Sequence, residues 1–217
     1  MNRIALIVFW YCLSANAQNN LQIHIFRSGT NSADSVTDIH FKKFRFYLSS
    51  FQFYHQGKPL ELSEQNYLIN ADSANLVQLN LSVPKDKAFD SISFMIGIDS
   101  AKLEQGIQGG ALDPLHGMYW TWQSGYINIK MEGAYKYQNT IQHFQWHIGG
   151  YRWPYQSALT LGCRANPNTN INLEIDLFQF AIASLKRVSN NVMSPGKMAH
   201  QLSQNFSKCI RIQSASK

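Results

Sequence analysis

The sequence predicts an all-β protein: a two-sheet antiparallel β-sandwich closed by one short C-terminal helix. Three observations predict it. Apolar and polar residues alternate along most of the apolar segments; Gly, Asn, Pro and Ser clusters separate those segments; and one stretch near the end carries a helical period.

The chain opens with MNRIALIVFWYCLSANA, in which Arg3 precedes an apolar run over residues 4–13 and the small-residue pattern Ala15-Asn16-Ala17. These are the parts of a secretory signal peptide over residues 1–17, with cleavage expected after Ala17, so the mature chain is expected to be periplasmic or secreted. Cys12 stands where a lipidation site would be sought, but the bulky Phe9-Trp10-Tyr11 before it argues against one. Residues 18–217 hold no repeat, low-complexity tract or Pro-rich linker and read as a single domain.

In residues 21–26, Leu21, Ile23 and Ile25 point one way and Gln22, His24 and Phe26 the other, the period of a half-buried strand. Residues 41–54 continue in that style, with Phe44, Phe46 and Leu48 alternating against Lys43, Arg45 and Tyr47, and Gln56-Gly57-Lys58-Pro59 reads as a hairpin turn. Further strands are predicted at 77–83, 91–98, 126–132, 141–148, 158–163 and 171–178. The helix follows. Ser194 fits an N-cap, Pro195 the first helical position, and Met198, Leu202 and Phe206 recur along one face.

Three cysteines leave Cys163 and Cys209 once the signal segment is removed. An even pair in an oxidising compartment predicts one disulfide; two free thiols, one or both on a metal, are the alternative. The net charge of +6 falls to +5 without Arg3, and the basic residues are scattered apart from Lys42-Lys43-x-Arg45, which fits the wet face of a strand. Nucleic-acid binding is set aside. No segment approaches the roughly 18 to 20 apolar residues of a membrane helix, so no transmembrane segment is expected.

For catalysis, no GxSxG elbow, Cys–His nucleophile, phosphate loop or dinucleotide fingerprint is present, and the protein is not expected to be an enzyme. Asp72, Asp99 and Asp113 fall on predicted loops and fit turn caps better than calcium ligands. The chemistry lies elsewhere. Residues 112–133, LDPLHGMYWTWQSGYINIKMEG, pack Met118, Tyr119, Trp120, Trp122 and Tyr126 behind His116, and strand alternation puts His143, Gln145 and His147 on one face. Aromatic packing and solvent-facing histidines account for both patterns; a metal site at a loop rim does so too, and a thioether beside imidazoles favours copper over magnesium or calcium.

Phe94-Met95-Ile96-Gly97-Ile98-Asp99-Ser100, Leu112-Asp113-Pro114, Gly117-Met118-Tyr119-Trp120-Thr121-Trp122-Gln123-Ser124-Gly125-Tyr126, Lys130, Glu132-Gly133 and Trp146-His147-Ile148-Gly149-Gly150 together resemble the MbnP-like family of exported copper-binding proteins. The resemblance runs from about residue 21 to residue 161. It implies a periplasmic or secreted β-rich protein that holds copper through histidines and, in some members, through a tryptophan oxidised to kynurenine by a diheme partner of the MauG and cytochrome c peroxidase group. Opening an indole ring creates an aromatic amine and a ketone, hence a donor where the indole N–H had none. Carried onto this chain, the resemblance names His147 first as a metal ligand, His24 second and His116 third, with Trp120 and Trp122 as the two candidates for oxidation. The competing expectation is an envelope binding or structural module with no metal, in which the aromatic segment only packs.

Overall fold

Alternation along the first strand buries Leu21, Ile23 and Ile25 and turns Gln22 and His24 outward, as a half-buried strand requires. The same logic builds the remainder of a computed structural model that describes residues 19–29, 36–81, 88–121, 125–167, 169–185 and 187–215. The signal segment, its expected cleavage point and Cys12 lie outside these residues.

The strands in chain order are β1 (Asn19–Phe26), β2 (Val36–His55), β3 (Lys58–Ser63), β4 (Tyr67–Asn70), β5 (Leu76–Leu81), β6 (Ser91–Ile96), β7 (Tyr119–Trp120), β8 (Gly125–Tyr137), β9 (Thr140–Gly149), β10 (Leu159–Arg164), β11 (Asn170–Asp176), β12 (Asn191–Val192) and β13 (Ile210–Ala215). Helices are α1 (Ser100–Glu104), α2 (Leu177–Ser184) and α3 (Lys197–Ser207), with single 3₁₀ turns at Gly110–Leu112 and Pro114–His116.

A four-stranded sheet runs β13-β11-β1-β5, and a nine-stranded sheet runs β10-β6-β2-β8-β9-β12, with β3 and β4 also paired to β2 and β7 to β8. The sheets are mixed, which corrects the all-antiparallel expectation: β1 lies parallel to β11, and β12 parallel to β9. Two strands parallel to a neighbour need a crossover, and the two parallel pairs here join segments far apart in the chain.

The long β2 holds the large sheet together, pairing β8 along its first half and β6 along its second. It enters β3 through Gln56-Gly57, where φ is 50° and 75°, the mirror-image turn whose twist matches a two-residue hairpin. Gln138-Asn139 makes the same kind of turn between β8 and β9, with φ of 47° and 63°.

The main core cluster, to which both sheets contribute, is strongly aromatic. Phe44, Phe46, Phe94, Phe144, Trp146, Phe180 and Phe206 are all buried in one cluster with Ile23, Leu173 and Ile175 of the small sheet. Trp146 donates its indole N–H to the Ser189 carbonyl at 2.9 Å, so the largest of these side chains leaves no polar atom unpaired.

Three expectations need correction. The strand expected over 171–178 stops at Asp176, whose carboxylate accepts the Gln179 backbone N–H at 2.9 Å and starts α2, so the apolar run after it winds into a helix. The C-terminal helix starts at Lys197, not Pro195; Gly196 precedes it at φ 145°, and the buried face carries Ala199, Leu202, Ser203 and Phe206 while Met198 stays half exposed. One short helix is expected and three are present among the described residues.

Cys163 and Cys209 are free thiols, so the expected disulfide is not formed. Cys163 belongs to β10 of the large sheet and is paired to Ile92, whereas Cys209 sits in the turn leading into β13 of the small sheet. Burial raises the pKa of both, which favours the unreactive protonated thiol.

Candidate metal site

The polar face of the large sheet is assembled by register. On its outer side β2 presents Lys43 and Arg45, β8 presents Lys130 and Glu132, and β9 presents Gln145 and His147; the cross-strand partners are Lys43 with Glu132, Arg45 with Lys130, Glu132 with Gln145 and Lys130 with His147. Glu132 gathers them. One carboxylate oxygen lies 3.0 Å from the Lys43 ammonium, and the other accepts from His147 Nε2 at 3.0 Å with the Lys130 ammonium 3.8 Å away. Arg45 is turned aside by a 2.6 Å ion pair with Asp72, which also accepts the Phe44 backbone N–H.

His147 is 6% exposed. Burial lowers its pKa from the ordinary 6.5 against the pull of Glu132, so the ring is neutral at neutral pH. Because Nε2 faces a carboxylate oxygen, it must carry the proton, and the lone pair then sits on Nδ1, which makes no hydrogen bond among the described residues. A carboxylate behind an imidazole in this way fixes its tautomer and raises its basicity, the support that metal-binding histidines use. Burial alone would raise the Glu132 pKa; the hydrogen bonds from His147 and Lys43 and the two ammonium charges bring it below its ordinary 4.5.

These shifts set an acid sensitivity. Below about pH 6.5 an unfolded His147 takes up a proton that the folded one resists, so stability falls from there towards the folded pKa; the Glu132 contribution, present above about pH 4.5, is then lost as pH drops through its lower folded value. Denaturant midpoints measured from about pH 7 to about pH 2 are expected to decline in these two parts, and His147→Gln is expected to flatten the first. An unchanged profile in that variant would show that other groups carry the acid response.

Above this stripe, residues 97–121 fold back over the outer face of the sheet and, with side chains of β2 and β8, form a second, smaller core of Tyr47, Ile98, Leu103, Leu112, Met118, Trp120, Tyr126 and Ile127. Asp99 and Asp113 cap turns as expected, accepting backbone N–H groups of Lys102 at 3.0 Å and Leu115 at 2.8 Å. Gly117 then reverses the chain at φ 68°, and Lys130 donates to its carbonyl at 2.9 Å. Met118 is fully buried, which makes its thioether a packing group, and Trp120 is 1% exposed. Its ring lies directly on Gly149: a Cβ there would come within 2.5 Å of Cζ3 and 2.8 Å of Cη2. Tyr126 meets Tyr47 and Tyr119 edge-on, and its hydroxyl accepts the Gln108 backbone N–H at 3.0 Å.

The expected site residues are therefore distributed as follows. His147 lies on the outer stripe, and His116 is exposed on the loop that Lys130 grips through Gly117, immediately beside it in sequence. The His116 Nε2–H points at the Gly110 carbonyl, 3.0 Å away, leaving Nδ1 as its lone-pair nitrogen too. His24 stands on β1 between Glu174 of β11 and Leu76 of β5, on the outer face of the small sheet, so the structure does not bring it to His147. Trp122 lies outside the described residues. Among those residues no group of three His, Cys, Asp or Glu side chains is placed to hold a metal. Glu132, Lys130 and Lys43 were missed as site residues; their alternation was readable, but their convergence depends on strand register.

A sequence model of the MbnP family matches residues 14–206. The structure is similar to that of MbnP from Methylosinus trichosporium, with a TM-score of 0.53 and 13% identity over 92% of this chain and 99% of that one; at this identity the likeness is one of fold. No curated protein matches. Since the family match takes in both β1 and α3, and with them the stripe and the layer above it, the chain belongs to the MbnP family.

Proposed function

We propose that this protein is a periplasmic or secreted copper-binding protein, acting in sequestration or delivery of the metal and not as an enzyme. The observation that carries the reading is the His147–Glu132 pair: a neutral imidazole, oriented by a carboxylate, with its Nδ1 lone pair left for a ligand. Imidazole nitrogen suits copper, and family membership supports a copper-related role. His147 would hold the ion and His116, on the adjoining loop, would add a second nitrogen. His24 belongs to a separate face, where a bound ion would be independent of the first.

In this reading a tryptophan-derived kynurenine would supply a further donor: a diheme partner of the MauG and cytochrome c peroxidase group, drawing on dioxygen or peroxide, would cleave the indole C2–C3 bond of Trp120 or Trp122, and the lost carbon would leave as formate. Copper bound there would be held in place by fixed nitrogen donors, and Glu132 would keep the His147 ring in the required orientation while its lysines hold the carboxylate. The complete burial of Met118 and Trp120 favours a second reading, a metal-free envelope module in which the segment is a packing element.

Copper loading followed by desalting, together with intact-mass and peptide mapping of protein from its native host, decides between them. The copper reading expects metal retained by the wild type and lost from a variant carrying His147→Ala, His24→Ala and His116→Ala, and a tryptophan that has lost one carbon and gained one oxygen. Equal retention by both proteins would sink it.

A further inference from the structure

Beyond that stripe, residues 103–106, Trp120, the start of β8 and the connection between β9 and β10 line an open cleft of about 530 Å³. Its walls carry Trp120, Tyr151, Trp153 and Tyr155, with Arg152 and Glu104 as the charged side chains. Trp153 is 84% exposed and Tyr155 40%. A large indole standing in water is an unfavourable arrangement that folding alone does not call for.

The connection that displays it is firmly held. The Gly150 carbonyl accepts both the backbone N–H of Ser157, at 3.0 Å, and its hydroxyl, at 3.2 Å. Asn128 donates its amide to the same hydroxyl at 3.0 Å, and Ser203 of α3 donates to the Ser157 carbonyl at 2.7 Å. Asn128, Ser157 and Ser203 are all fully buried. The other end of the Asn128 amide accepts the Ile98 backbone N–H at 3.0 Å, tying the two walls of the cleft to one buried side chain. Between these anchors the Tyr155 backbone N–H donates to the Arg152 carbonyl at 3.0 Å and closes the turn that carries Trp153. Three satisfied, buried polar side chains thus anchor the two ends of the turn that displays the exposed indole, a preorganised backbone of the kind a binding site needs.

We propose that this cleft is a saccharide-binding site, in which a neutral sugar ring stacks on Trp153 while Arg152 and Glu104 take its hydroxyl groups. The face of an indole matches the apolar C–H face of a sugar ring in size and shape, and Tyr155 offers a second ring for the next unit. The charges select the ligand further. With one cation and one anion among its lining residues the cleft carries no net charge, which disfavours a strongly ionic ligand, while the two groups supply the donors and the acceptor that vicinal hydroxyls require. A proline-rich peptide would also find aromatic rings here but would have no use for the paired charges. Gly106 and Gly196 line the same walls, and a Cβ at either would meet nothing within 4 Å, so their backbone is left open to a hydroxyl-rich ligand. The volume falls in the range of small-ligand sites, roughly 300–1,000 Å³.

The test uses the full chain in EDTA, so that its outcome is independent of copper. Cellotriose, maltotriose and N,N′-diacetylchitobiose serve as neutral probes, and trigalacturonate and a proline-rich peptide as comparators, read by tryptophan fluorescence and by saturation transfer to the sugar protons. At least one neutral probe is expected to bind saturably at millimolar concentration, with Trp153→Ala weakening it about tenfold or more and Trp153→Phe retaining part of the affinity. Because Trp153 is exposed, the alanine variant should melt with the wild type, which separates lost binding from lost fold. Absence of binding by all three neutral probes, unchanged affinity in Trp153→Ala, or binding of the peptide alone would overturn the proposal.

Discussion

Copper retained after desalting is expected to fall at least about tenfold in His147→Ala, the largest loss of any single substitution in the site, since the one buried and oriented imidazole is removed. The alanine variant also strips Glu132 of a hydrogen bond in a half-buried position, at a cost of about 1–3 kcal/mol, so lost metal could be confused with lost structure. His147→Gln separates the two. Its amide still donates to Glu132 and keeps the carboxylate satisfied, while no imidazole remains to bind copper; stability near the wild type with metal lost is the expected result. His116→Ala should lower affinity less, because its ring is exposed and held only by the Gly110 carbonyl. His24→Ala should change stoichiometry without changing affinity at His147, since the two rings stand on different sheets. Full retention by His147→Gln, measured by elemental analysis of the desalted protein, would remove His147 from the ligand set.

The second large effect falls on the ground beneath Trp120. A methyl group at position 149 would lie 2.5 Å from one ring carbon of Trp120 and 2.7 Å from the Tyr126 carbonyl, closer than real contacts allow. Gly149→Ala must therefore move either a wholly buried indole or a strand backbone, and overpacking of that kind costs about 1–3 kcal/mol. A lowered urea midpoint with an altered tryptophan emission is the expected pair of results. Since position 149 is two residues from His147 on the same strand, the variant is also expected to bind copper more weakly, although it alters no ligand. A wild-type midpoint would mean that the Trp120 layer yields freely, and with it the idea of a rigid wall over the stripe.

How much of this was readable beforehand follows from where the information resides. β1 and β2 announce themselves, because one buried face forces period two on Leu21-Ile23-Ile25 and on Phe44-Phe46-Leu48. α2 does not. Its Leu177-Phe178-Gln179-Phe180-Ala181 run is apolar on nearly every side, so periodicity is silent and the Asp176 cap decides. β13 alternates Ile210 and Ile212 against Arg211 and Gln213 and was legible in principle, but no local signal says that it pairs with β11. The site divides in the same way. His147 was found through the motif that contains it, whereas Glu132, though part of the same resemblance, was given no place beside it, because Glu132 lies directly opposite Gln145 and reaches His147 only on the diagonal. Register between strands, more than residue type, was the missing knowledge.

The parallel pairing of β1 with β11 governs the order in which the molecule can assemble. The large sheet is rich in neighbours along the chain, such as β2 with β3 and β8 with β9, and these hairpins can form early. The small sheet has no such beginning: Leu21 must meet Ile171, and Asn170 to Ile175 must then accept β13, so its closure waits for nearly the whole chain and bears the entropy of the longest loops. Without β13, β11 would be left as an unpaired edge in the middle of its own register, ready to take a strand from a second copy. With β13 in place the edge passes from β11 to a strand that carries Arg211 and lies beside β10 of the large sheet, a poorer template for a second copy.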